Sequence, residues 1–172
     1  MNAFLLISPI FLIRFGLLKM INKDALSRAA FFAPLVGSEK VAYLFYQLSN
    51  AFIILYSIFL KIQTKPPLFF MALFTYILGI SILIIATVNF AKPGQSGINT
   101  NGIYKISRNP MYVGYFIYFL GCVLLTHSIL LLISLLVFQI SAHWIILSEE
   151  RWCVNKFGTE YINYMNKVKR YI

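Results

Sequence analysis

Five apolar runs separated by polar interruptions organise the chain, at residues 3–20, 41–60, 67–91, 111–126 and 129–147. Each is close to the length an α-helix needs to cross a hydrocarbon layer of about 30 Å. The pattern therefore predicts about five transmembrane helices within a single domain, 1–172. The fourth run is the shortest: roughly 16 residues rise only about 24 Å as a helix. It needs its capping turn, a locally thinned bilayer or burial among its neighbours. The His127-Ser128 turn is so tight that runs four and five form an antiparallel hairpin. Residues 22–40, with Pro34 and Gly37 as breakers, read as an interfacial connection. After the fifth run, Gly158 reads as a helix stop and Thr159 as the start of a second short helix in an amphipathic tail, 148–172. The expected fold class is an all-α integral membrane protein with an amphipathic helical tail at its C-terminus.

Composition agrees with this. The chain is 60% hydrophobic and 12% charged, with a mean hydropathy of +0.78, which excludes an ordinary soluble domain. The N-terminus lacks a basic n-region and a small-residue cleavage pattern, so residues 3–20 are kept as a first span. Cys122 and Cys153 have no C-x-x-C spacing and read as packing residues. The net charge of +10 is explained by position and requires no nucleic acid. Lys19, Lys23, Arg28 and Lys40 follow run one, Lys92, Lys105 and Arg108 lie between runs three and four, and Arg151, Lys156, Lys167, Lys169 and Arg170 follow run five. Only Lys61 and Lys65 fall on the other side. The positive-inside rule then predicts an outside N-terminus and a cytosolic tail. All five acids, Asp24, Glu39, Glu149, Glu150 and Glu160, share the cytosolic side, so any chemistry that needs ionisable groups is expected there.

Within the spans, Gln47, Ser49 and Asn50 read as interhelical hydrogen-bond partners. Arg14 is the one charge well inside a run. Intramembrane charge points to function by default, but its place toward the cytosolic half reads as a side chain that snorkels to the interface. His143 reads as hydrogen-bonded structure. With His127 on the opposite side, neither a histidine-based metal site nor a catalytic triad is expected.

The chemistry concentrates in two places. The first is the glycine-rich loop 92–102 with the segment Tyr104 to Tyr112, where Pro110 opens a helix and Ser107 or Asn109 is its candidate cap. An arginine beside a helix N-terminus suits an anion. The second is Glu149-Glu150, returned by the hairpin to the same face, where a carboxylate suits an ammonium or sugar hydroxyls. A zwitterionic ligand would satisfy both, and S-adenosylmethionine is one of many.

The joint pattern Gly102-x-Tyr104-x-x-x-Arg108-Asn109-Pro110-x-Tyr112-x-Gly114, then Glu149-Glu150, then Phe157-Gly158-x-Glu160-Tyr161-x-x-Tyr164, resembles the isoprenylcysteine carboxyl methyltransferase family and its relatives, the phospholipid methyltransferases. The resemblance covers about residues 90–172. It implies an S-adenosylmethionine-dependent methyltransferase acting on a lipid or small-molecule acceptor, with membrane lipids as partners. It implies cofactor contacts from Gly97, Ile98, Tyr104, Asn109, Pro110, Met111, Tyr112 and Glu149, with Arg108 and Glu150 as catalytic candidates. Two departures narrow it. Asn109 stands where the family usually has histidine, which keeps a donor and an acceptor but not a titratable charge. Ile145 stands where prenylcysteine enzymes carry an arginine associated with the substrate carboxylate, so the acceptor stays open among prenylcysteine, amine, thiol and acid. The alternatives are a non-enzymatic membrane subunit or small transporter, with Arg14, Gln47 and Asn50 along a polar path, and a membrane reductase that binds NADPH. Oligomeric state is open.

Overall fold

The computed structural model describes residues 1–172 and is all-helical. Helix α1 runs over Ala3–Ile21 and contains a π-helical turn at Leu12–Leu17. Next come α2 (Lys23–Ala30), an extended strap over residues 31–36, α3 (Glu39–Tyr56) and α4 (Leu68–Ala91). The loop after α4 carries a single 3₁₀ turn, Gly102–Lys105. It leads to α5 (Pro110–Thr126), α6 (Ile129–Phe157) and α7 (Thr159–Lys167).

Four helices, α1, α3 with its 3₁₀ extension to Phe59, α4 and α6, are long and apolar enough to cross a membrane, while α5 is shorter. Its 17 residues rise about 25 Å. Burial resolves the shortfall: Tyr118, Phe119, Cys122, Val123 and Leu125 are all enclosed by neighbouring helices. Helix α5 packs most closely on α4, and glycine makes that possible. At Gly121 a Cβ would lie 2.5 Å from the Tyr76 Cα, and at Gly79 it would collide with the Tyr118 backbone. The two helices thus lie backbone to backbone, the small-residue contact that associates helices in lipid. Gly121→Ala is expected to destabilise the protein by about 1–3 kcal/mol, because the backbones must separate. A control substitution at Gly16, where a Cβ meets nothing within 4 Å, should cost less in the same detergent melting assay.

The helix ends fall into two sets. At one end, Asn2 bonds the Ile58 carbonyl and the Gln63 N–H reaches the Leu125 carbonyl. At the other, Asn22 donates to Ala91 O, and Arg151 holds Glu39 through Nη1 and Nη2 at 2.6 and 2.7 Å. The α5–α6 hairpin closes at His127, which takes a left-handed φ of 52°, with Ser128 Oγ accepting from Leu131 N. That turn returns Glu149 and Glu150 to the polar end beside the start of α5.

Two expectations are corrected. The fifth run does not end at 147: α6 continues unbroken to Phe157, so the first ten tail residues extend that helix, and the break comes at Gly158 (φ 56°). Gln47, Ser49 and Asn50 do not bridge helices. Ser49 and Asn50 donate to Tyr46 O, and Gln47 to Tyr43 Oη, because a short polar side chain in an apolar helix finds its own preceding turn first. Arg14 reaches toward the polar end, as its position suggests, but does not end free there: its guanidinium donates to Tyr115 Oη at 2.9 Å and to Ala29 O, in α2, at 2.7 Å.

Candidate functional site

A cavity of about 490 Å³ opens at the polar end, between α1, α2, the start of α5, the end of α6 and α7. Its size lies in the range of small-molecule sites. Of the residues expected from sequence, Gly97, Ile98, Tyr104, Arg108, Asn109, Met111, Tyr112, Glu149 and Glu150 all border it. Pro110 does not. It is fully buried as the first residue of α5, where its fixed φ and missing N–H suit a helix start.

The loop side of the cavity is built on α4. Asn89 Oδ1 accepts the Ile103 N–H at 2.9 Å, which pins the 3₁₀ turn. Gly102, at φ 58°, lies so close to Asn89 that a Cβ would collide with its carboxamide. Tyr104 is thereby buried, and its carbonyl accepts from Tyr164 Oη at 2.6 Å. Burial pushes the Tyr164 hydroxyl up to about 12 and the Tyr104 hydroxyl well above its ordinary value. Both are neutral phenols at physiological pH and not phenolate bases.

Glu149 and Glu150 are neighbours on a helix, so their side chains diverge by about 100° and serve different partners. Glu149 Oε1 accepts from Tyr112 Oη at 3.0 Å on the cavity wall. Glu150 is buried behind it. Its Oε1 takes Arg108 Nε and Nη2 at 3.1 and 2.8 Å, and Arg170 Nη2 meets its Oε2 at 2.8 Å. Arg108 also gives Nη1 to the Met165 and Val168 carbonyls, at 3.0 and 2.6 Å. The anion-binding capacity of Arg108 is thus largely used inside the protein, to hold the C-terminal strap. Asn109 contributes to the same latch: its Nδ2 donates to Arg170 O at 3.1 Å, and its N–H to Ser107 Oγ. Asn109 precedes α5 without a side-chain cap bond.

Several wall residues were not singled out by sequence. Arg28, Tyr46, Asn99, Tyr115, Trp152 and Cys153 border the cavity, as does Arg14. The Oδ1 of Asn99 is buried with no hydrogen-bond partner, an unsatisfied acceptor at the cavity wall. His143 is structural, its Nδ1 lying 2.8 Å from Tyr171 Oη.

The family model described as "Phospholipid methyltransferase" matches residues 67–160, which span α4, the loop, α5, α6 and the start of α7. No curated protein and no solved structure matches the chain significantly.

Proposed function

Since the chain belongs to the phospholipid methyltransferase family, a family of methyltransferases, we propose that it is an S-adenosylmethionine-dependent enzyme that methylates a lipid or small-molecule acceptor at the cytosolic membrane face. The observation that carries this reading is the meeting, in one cavity, of the loop after α4, the first turn of α5 and Glu149.

The residues present fit the cofactor. Its ammonium and sulfonium need a carboxylate, which Glu149 offers. Its adenosine needs hydrogen-bond groups and flat apolar walls, which the Asn99 side chain, Tyr104 and Tyr112 at the cavity wall would supply. The glycine backbone at 97, with Ile98, Asn109 and Met111, completes the proposed contacts. Pro110 acts by fixing the helix start. When bound, the cofactor supplies a methyl group already activated on sulfur, so the protein needs to align an acceptor and exclude water. Tyr112 holds the Glu149 carboxylate in a single orientation. Arg108 and Glu150 act as positioning residues, clamping the C-terminal strap, residues 165–172, behind the cavity wall. The apolar walls let a lipid acceptor enter from the bilayer. An amine acceptor would have to arrive deprotonated, whereas a carboxylate or thiolate would need little base assistance.

The distribution of basic residues supports an outside N-terminus and a cytosolic cavity, since nearly all lysines and arginines lie at the cavity end. The whole of 1–172 is then one domain, because α1 and α2 contribute walls to a cavity whose other walls come from α5–α7.

The intact protein in detergent is expected to bind S-adenosylhomocysteine in isothermal calorimetry and to transfer methyl groups from labelled cofactor into host lipid extracts. Absence of binding across several mild detergents would overturn the cofactor assignment.

A further inference from the structure

The cavity wall carries more positive charge than it neutralises. Four cations border it, Arg14, Arg28, Arg108 and Lys156, against two carboxylates, Glu149 and Glu150. Glu150 is taken by Arg108 and Arg170. Neither Arg14 nor Arg28 has a carboxylate partner: the three salt bridges of the protein are Arg108–Glu150, Arg151–Glu39 and Arg170–Glu150. An unpaired guanidinium inside an apolar span is costly, and here it is also fixed. The Ala29 carbonyl and the Tyr115 hydroxyl hold two of its N–H groups, leaving three of its five donors. It projects from the π-helical turn of α1, a local widening that recurs at functional sites. Arg28 belongs to the same region, stacked 5.1 Å above the Phe90 ring and bonded to Phe90 O.

Arg14 meets α5 about one turn deeper than the proposed cofactor contacts do, while Arg28 stays at the polar end beside Phe90. Tyr115, which accepts from Arg14, lies three residues beyond Tyr112 on α5, about 4.5 Å farther from the polar end of that helix. Ile145, where an arginine could have supplied an anion ligand from α6, is fully buried and apolar.

We propose that Arg14, assisted by Arg28, is the group that holds the anionic end of the methyl acceptor. The proposal rests on the methyltransferase reading for the identity of the other ligand, but the subsite has its own readout. In neutral detergent, wild-type protein is titrated calorimetrically with dodecyl phosphate, dodecanoate and dodecanol. At least one of the two anions should bind about tenfold or more tightly than the alcohol, and whichever of them does so identifies the anionic group. Arg14→Gln should abolish that preference while S-adenosylhomocysteine affinity falls by a smaller factor, because Arg14 acts on Glu149 only through space, and Arg14→Lys should retain part of the preference. Equal binding of the three amphiphiles by wild type would overturn the proposal without any variant having to fold. So would a preference that survives Arg14→Gln, or a parallel loss of S-adenosylhomocysteine binding, which would assign Arg14 to the cofactor. A wild type that prefers the anions yet binds no S-adenosylhomocysteine would leave the subsite standing and remove the methyltransferase mechanism.

Discussion

Glu150→Ala is expected to destabilise the protein by about 3–5 kcal/mol and to release the C-terminal strap, abolishing methyl transfer. The Glu150 side chain retains 5% exposure and that of Arg108 8%, so the pair is effectively out of water. Removing the carboxylate leaves the Arg108 guanidinium with only the Met165 and Val168 carbonyls, and Arg170 with no ion-pair partner. An uncompensated buried charge is what makes such a deletion severe, whereas the intact pair adds little net stability over a well-packed apolar substitute. The strap depends on the same cluster: Arg108 N–H donates to Lys169 O, Ser107 Oγ and Asn109 Nδ2 to Arg170 O, and Tyr171 reaches His143. Limited proteolysis should therefore cut residues 158–172 in the variant under conditions that spare wild type. The second ion pair provides a graded contrast. Arg151 is 41% exposed but Glu39 only 9%, and Glu39 keeps the Val36 N–H when the cation is removed, so Arg151→Ala should cost less than Glu150→Ala but more than a fully exposed pair, about 1–3 kcal/mol. Equal protection of the strap in Glu150→Ala and wild type would refute its role as a latch.

The difference between these two pairs also shows what could be read from the sequence. The helices were legible because lipid imposes one rule along the whole chain: every long apolar run must bury its backbone polar groups in a helix. The hairpin was legible from His127-Ser128 and brought Glu149 back to Tyr112 without any knowledge of packing. Gly158 was legible as a stop, since a residue at φ 56° favours glycine. The partners of the charges were not legible. Glu150 pairs with Arg108 across 42 residues, and Glu39 with Arg151 across 112, and no local pattern links positions so far apart. The partners of Arg14 are hidden for the same reason. Its place toward the polar end of α1 suggests a reach to the interface, and the Tyr115 hydroxyl and Ala29 carbonyl that hold it lie 101 and 15 residues away. The adjacent acids differ already in the sequence reading, Glu149 as a cofactor contact and Glu150 as a catalytic candidate, and the structure turns Glu150 toward the latch formed with Arg108 and Arg170.

That division gives the second large effect. Glu149→Gln is expected to weaken S-adenosylhomocysteine binding by about 10- to 100-fold, the equivalent of losing a charge-assisted hydrogen bond of roughly 1.5–3 kcal/mol. The substitution keeps the shape and still accepts the Tyr112 hydroxyl, so the wall is preserved and only the charge is lost. Unlike Glu150, Glu149 holds no part of the strap, and melting temperature and proteolytic protection should both remain close to wild type. Tyr112→Phe removes the bond that orients the carboxylate and leaves its charge, and should cost less, about 3- to 10-fold. The double variant should bind little worse than Glu149→Gln alone, because both changes act through one contact and their energies do not add. Unchanged affinity in Glu149→Gln would move the cationic end of the cofactor to another part of the cavity. Full additivity in the double variant would mean that the Tyr112 hydroxyl bonds the ligand directly and does not act through Glu149.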